Sequence, residues 1–197
     1  MHTDIPLKRL TALCGADLLP LLGLPALQAL AVPTVELPTT AKRLDSLLWV
    51  RSPGGQEYLH ILEWLGYPDP TVLERLAWYV LAVRQQYPDR VVVGTLIYLT
   101  PACDVGDSLT QAIDGQTVQD WPINCVRLWE LDAAEAVASG NLGLCLLSPL
   151  LDNPSEAVVT QAVQTVLSKA PRHQQDEMVS ILATLAGEIL RPQWLVE

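Results

Sequence analysis

Two apolar runs separated by Ser52-Pro53-Gly54-Gly55 leave the middle of this chain few ways to fold. Proline and paired glycine cannot carry a helix across that point, but they close a reversal readily. The runs Arg43-Leu44-Asp45-Ser46-Leu47-Leu48-Trp49-Val50-Arg51 and Gln56-Glu57-Tyr58-Leu59-His60-Ile61-Leu62-Glu63-Trp64 therefore read as the arms of an antiparallel hairpin with a four-residue turn. Pairing Arg51 with Gln56 beside the turn sets Asp45 almost opposite Leu62 and one step from Glu63. Two acids then meet near one end of a sheet.

Burying paired carboxylates in a greasy hairpin costs each of them hydration, unless a cation or donors replace the water. Mg²⁺ suits such oxygen ligands, because it is held by one or two carboxylates together with waters and phosphate oxygens. Such an ion can activate water for attack on a phosphodiester. The same spacing equally fits strand-end acids that face solvent or pair with Arg43 or Arg75. Spacing alone leaves both readings open.

The hairpin residues resemble the two central strands of the PD-(D/E)xK nuclease superfamily, and within it the Rpn branch of recombination-promoting nucleases and putative transposases. Further stretches are similar in the same order. Asp4-Ile5-Pro6-Leu7-Lys8-Arg9-Leu10 resembles that family's opening helix, and Val35-Glu36-Leu37-Pro38 the lead into its aspartate strand. Arg75-Leu76-Ala77-Trp78-Tyr79 resembles the helix after the acid strand. Val126 to Leu131 and Leu142 to Leu150 resemble its later landmarks. The resemblance implies a restriction-endonuclease-like α/β core, with a helix, a mixed central sheet and a helix on the other face. It also implies DNA as substrate and a Mg²⁺ or Mn²⁺ ion held by Asp45 and Glu63, helped by Glu36.

One position departs from the family pattern. Where the family carries Lys, or in this branch Gln, two residues after the acid, this chain has Leu65. Residues two apart on a strand share a face, so that amine or amide sits beside the acid to orient water and stabilise charge on the phosphate. Leucine does neither. Lys42 and Arg75 are the candidates to take over the role, although Arg75 also fits a structural pairing with Asp45 or Glu63. Two functions stay open: a metal-dependent DNA endonuclease, or a catalytically degenerate relative kept as a binding or assembly module. The second predicts that Asp45→Ala is at least as stable as the parent, because an unpaired acid is removed.

At 197 residues, half of them apolar, the chain is long enough for one domain, or for one domain with an appendage. The reading places a nuclease-like core over 1–131 and a C-terminal helical appendage, packed on it, over 132–197. The net charge of −10 argues against tight, sequence-independent DNA binding. Lys8, Arg9, Lys42, Arg43 and Arg51 are the candidates for a local basic cluster. Cys14, Cys103, Cys125 and Cys145 form no CxxC pair, and the three histidines are dispersed, so zinc is not indicated. No leader is expected, and Pro20, Gly23 and Pro25 break the Leu-rich stretch from 18 to 30, so no membrane span is expected either. Reduced thiols in a cytoplasmic protein are the natural reading.

The remaining elements follow from caps and periodicity. Helices are expected at Leu7 to Cys14 and Ala16 to Leu22. Asp69-Pro70 should cap a helix to about Gln86, with Val72, Leu73, Leu76, Val80 and Leu81 on its apolar face. Arg75 and Tyr79, one turn apart, share a face of it. Val91 to Leu99 reads as a central strand. Leu109 to Ile113 and Thr117 to Trp121, around Asp114-Gly115, should extend the sheet, with Ile123 to Trp129 as a third strand. His60 has the opposite parity from Glu63 and belongs on the other face. Asp132 to Ser139 reads as a helix. Asn153-Pro154-Ser155-Glu156 should open another, and His173 to Leu190 a last one, forming a helical hairpin that packs on the core or makes a homodimer or partner interface.

Overall fold

The computed structural model describes the backbone of residues 4–22, 28–31 and 44–189 and the side chains of 5–21 and 44–187. Glu36, Lys42 and Arg43 lie outside the described residues. Strands run as β1 (Gln28–Ala31), β2 (Ser46–Arg51), β3 (Glu57–Leu65), β4 (Val91–Tyr98), β5 (Ser108–Ile113), β6 (Gln116–Pro122) and β7 (Asn124–Arg127). Helices run as α1 (Asp4–Cys14), α2 (Val72–Gln86), α3 (Ala133–Ala138), α4 (Leu142–Leu147), α5 (Glu156–Lys169) and α6 (Arg172–Ile189). The chain divides into two compact units, one of Pro20–Val126 and one of Met1–Leu19 with Arg127–Glu197.

The first unit is an α/β fold around a mixed sheet in the order β1-β2-β3-β4-β7. From Tyr58 to Leu65 its middle strand carries apolar or aromatic side chains at both parities apart from His60 and Glu63, as a strand covered on both faces requires. Every residue from Tyr58 to Leu65 is buried. β2 pairs antiparallel with β3, and β3 parallel with β4. The parallel step needs a crossover, which α2 supplies. Its packing explains Gly94 of β4: a Cβ there would lie 2.8 Å from Leu76 Cδ1 and 3.0 Å from Val80 Cγ2.

The hairpin forms, with a register one residue from the expected one. Ser52 N–H donates to the Gln56 carbonyl at 2.9 Å, and Gly55 adopts φ +84°. The loop proper is thus Pro53-Gly54-Gly55, ended by a left-handed glycine. Arg51 consequently pairs with Glu57, not Gln56, and Ser46 with Leu62. Continued one step, that ladder faces Asp45 with Glu63 itself.

Other differences have equally local causes. Asp69 does not cap α2; Thr71 holds that position, and the Asp69 carboxylate accepts from the Thr71 N–H and hydroxyl at 2.9 and 2.8 Å. Leu81, expected on the apolar face, is 50% exposed, while Ala77, Tyr79 and Val83 are buried. The 108–122 hairpin turns as expected, with Asp114 and Gly115 both at positive φ. It does not extend the main sheet, however, but stands as a separate two-stranded ribbon. Ile113 and Val118 are exposed, and the ribbon's many polar side chains offer no continuous apolar face for burial. The strand after it is shortened to β7, because Leu128–Glu130 coils into a 3₁₀ turn.

The second unit is helical. Leu7, Leu10 and Cys14 bury one face of α1, which packs against α4 and α6. The opening helix therefore groups with the C-terminal helices, and the division differs from the 1–131 and 132–197 split expected from sequence. Helix α4 was not foreseen; Asn141 caps it through the Leu144 N–H. At α5 the cap is Ser155, which accepts from the Val158 N–H, and Asn153 instead takes φ +54° in the preceding turn. Helices α5 and α6 form the expected hairpin, burying Ala162, Val166, Met178, Ile181, Leu182 and Leu185. None of the four cysteines is in a disulfide. Among the described residues, no helix is long and apolar enough to cross a membrane.

Candidate carboxylate site

Glu63 is the only acid on the buried stretch of β3, and its face of the strand, shared with Ile61 and Leu65, is the one that α2 covers. Periodicity places Arg75 on the helix side above it. The Arg75 Nε donates to Glu63 Oε1 at 3.0 Å, and Nη2 reaches the same oxygen at 2.9 Å. Its Nη1 pairs with Asp69 Oδ2. All three side chains are largely withdrawn from water, at 12% exposure for Arg75, 6% for Glu63 and 15% for Asp69. This is a two-carboxylate clamp on one guanidinium, so Arg75 ties α2 and the segment before it to the acid strand.

The electrostatics follow from that geometry. Burial disfavours the charged form of Arg75, but hydrogen bonds and charge from Asp69 and Glu63 outweigh it and raise its pKa further. Burial likewise pushes Asp69 up, yet the bonds from Arg75 and Thr71 win and bring it down to about 2. Tyr79, one turn beyond Arg75, is raised to about 12 by burial first and then by the charge of Glu63, with Asp45 adding in the same direction. Its phenol therefore stays protonated at neutral pH.

Asp45 enters from the other strand. Its Oδ2 accepts the Trp64 N–H at 3.1 Å, taking the place of a backbone carbonyl where the β2 ladder ends. The structure thus places Asp45 on the Trp64 N–H, next along β3 from the Glu63 that Arg75 engages. Leu65 is fully buried on the same side as Glu63. Lys42 and Glu36 lie outside the described residues. Of the basic cluster, Arg51 is engaged with Glu57 at 2.7 Å, and Arg90 takes the second Glu57 oxygen at 2.8 Å while lying 4.7 Å over the Trp49 ring.

Sequence reasoning missed two members of the site. Asp69-Pro70 reads as a helix cap in the sequence, whereas in the structure Asp69 lies ahead of the cap Thr71 and pairs with Arg75. Tyr79 was seen to share a face with Arg75, but no role followed from that. The Asp45 hydrogen bond also overturns one expectation: Asp45→Ala strands the Trp64 N–H, so it should lower stability whichever function holds.

Chemically, the described side chains set two carboxylates, Glu63 and Asp69, against one guanidinium, with Asp45 held on the Trp64 N–H. That donor set is hard oxygen, the type Mg²⁺ and Mn²⁺ prefer. Among the described residues no group of three or more His, Cys, Asp or Glu is placed to hold a metal ion, so Asp45 and Glu63 are the most that the described side chains would offer one. Comparison with protein-family models, curated proteins and solved structures returns no match.

Proposed function

We propose that the chain is a nuclease-like protein of the PD-(D/E)xK type, in which Asp45 and Glu63 hold Mg²⁺ or Mn²⁺ for hydrolysis of DNA phosphodiester bonds. The observation that carries this reading is the position of the two acids at one end of adjacent strands, Asp45 on the Trp64 N–H and Glu63 on Arg75. The β2-β3-α2-β4 order, with β3 and β4 parallel, supports the restriction-endonuclease-like core that the sequence resemblance implies. When bound, the ion would supply Lewis acidity and an acidified water. The chain's own residues supply the rest: Arg75 fixes the Glu63 carboxylate and the Trp64 N–H fixes that of Asp45.

A second reading is favoured by Leu65 and by the engagement of Arg75. Arg75 is committed to Glu63 and Asp69, and Leu65 offers no polar group, so charge stabilisation at the phosphate has no other described cation at this site. On that basis the protein is a degenerate relative that keeps the fold for binding or assembly.

Titration calorimetry with Mn²⁺, run beside cleavage of plasmid and single-stranded DNA, separates them. Asp45→Asn is the right control, since an amide oxygen still accepts the Trp64 N–H while the charge is gone. The nuclease reading expects cation binding and cleavage in the parent and neither in Asp45→Asn. Binding without cleavage selects the degenerate reading, most firmly if Leu65→Lys restores cutting. No binding in a folded parent overturns the ion site altogether.

A further inference from the structure

Helices α5 and α6 leave a groove along the outer side of their hairpin, a cavity of about 280 Å³ whose walls come entirely from the helical unit. Val159 and Val163 line it from α5, and Val179, Ala183, Ala186 and Gly187 from α6. Steps of three and four residues keep each set on one face of its helix. The faces that the two helices turn inward are buried already, so this is a second apolar stripe, and it stands partly open to solvent. The three valines are only half-buried, and Ala183 and Gly187 are exposed. A Cβ built on Gly187 would meet nothing within 4 Å.

Size and place restrict what fills it. Ligand pockets run from ~300 Å³ upward, so this groove suits one large side chain better than a separate ligand. The stripe is ~12 Å long from Val179 to Gly187 and one interhelical spacing, ~10 Å, wide. A stable dimer buries ~800 Å² on each partner, and Gln161, Gln164, Ser180 and Thr184, next around the two helices, are not apolar, so a second copy would find too little area here. The chain itself supplies a better occupant. Residues 190–197, which lie outside the described residues, read Leu190-Arg191-Pro192-Gln193-Trp194-Leu195-Val196-Glu197. Helix α6 runs to Ile189, two residues past Gly187, so this segment starts at the mouth of the groove. Pro192 opposes continuation of the helix and disfavours helical backbone at Arg191, which lets the chain reverse. At ~3.3 Å per extended residue, Trp194 reaches ~13 Å from Leu190, about the length of the stripe. Arg191 falls at the end of the groove where Glu156 opens α5, so the charges match as well. We propose that 190–197 fold back into this groove, with Arg191 beside Glu156 and the Trp194 indole over Ala183, between Val163 and Val179. The inference is independent of the ion-binding reading, because it uses neither Asp45 nor Glu63.

The test is a methyl NOE spectrum of the full chain. The Trp194 indole protons should give cross-peaks to the Val163 and Val179 methyls, identified by their loss in Trp194→Ala, and both methyls should lose an upfield ring-current shift in that variant. Ala183→Glu sets a charge in the groove from an exposed helical position, so the helices keep their fold while the cross-peaks should vanish. Thr184→Glu adds the same charge at an exposed position farther round α6 and should leave them in place. A folded parent without indole-to-valine cross-peaks overturns the proposal. So do cross-peaks that survive Ala183→Glu, or cross-peaks that arise only between labelled and unlabelled chains, which would give the groove to the segment of a second copy.

Discussion

Glu63 and His60 lie three residues apart on one strand, are buried to nearly the same degree, and resolve that burial in opposite ways. On the α2 side the polar group keeps its charge and the fold brings a guanidinium and a second carboxylate to it. On the other side the polar group surrenders its charge, and one nitrogen settles on a threonine hydroxyl. The contrast shows that burial alone does not decide the state of a polar residue. What decides it is whether an element packed against that face can deliver a counter-charge, and Arg75 is delivered because α2 crosses over β3 and β4 with that residue on its inner side.

The largest expected effect is therefore on the charged face. Arg75→Met leaves Glu63 and Asp69 withdrawn from water without their cation, and a buried pair broken on one side costs about 3–5 kcal/mol. Urea denaturation at pH 7 measures it, and adding Glu63→Gln to Arg75→Met should recover part of the loss. A cost under about 1 kcal/mol would place the clamp with exposed ion pairs and erase the contrast between the faces.

The uncharged face carries the next effect, and it depends on pH. Burial holds His60 down at about 4, below its ordinary 6.5, so the unfolded chain takes up a proton that the folded one refuses. Stability is fully present above 6.5 and falls as the pH drops toward 4, by about 2 kcal/mol between pH 7 and 5. Asp69 also loses stabilisation in acid, but its pKa is lowered from 3.8 to about 2, so its window lies below pH 4 and does not overlap. Thermal or urea melts of the parent and of His60→Gln across pH 7 to 5 test this. An equal slope in both would mean that His60 titrates freely and that its face is wet.

The two faces were not equally legible in the sequence. The parity of His60 against Glu63 is a property of any strand, and the apolar runs and the turn made the strand plain, so the sides were assigned correctly. The register slipped because Ser52-Pro53-Gly54-Gly55 does not say whether Ser52 belongs to the loop or closes it. Its backbone bond to Gln56 decides that. The partners of the polar groups were harder still. Arg75 with Glu63 was among the pairings considered, since a helix following a strand returns over it, whereas Asp69 with Arg75 depends on how the chain enters α2. Thr95 with His60 needs the parallel register of β3 and β4, which no local pattern encodes. Likewise, the grouping of α1 with the C-terminal helices is a long-range choice, made by packing rather than by periodicity.

The smallest effect is the sharpest probe of the difference. Tyr58 pairs across the sheet with Val50 on one side and Val91 on the other, so its ring is held by the ladder whatever its hydroxyl does. In the unfolded chain that hydroxyl is hydrated, and in the fold it is buried without a protein partner among the described residues. Removing it should therefore spare the folded state a desolvation cost while leaving the packing of the ring untouched. Tyr58→Phe is expected to match the parent in stability or to exceed it by up to about 1 kcal/mol in urea denaturation at pH 7. A substitution that removes a hydrogen-bonding group without loss is the signature of a face that leaves polar capacity over. If Tyr58→Phe instead loses 1 kcal/mol or more, the hydroxyl is satisfied within the protein, and the two faces of β3 differ only in charge.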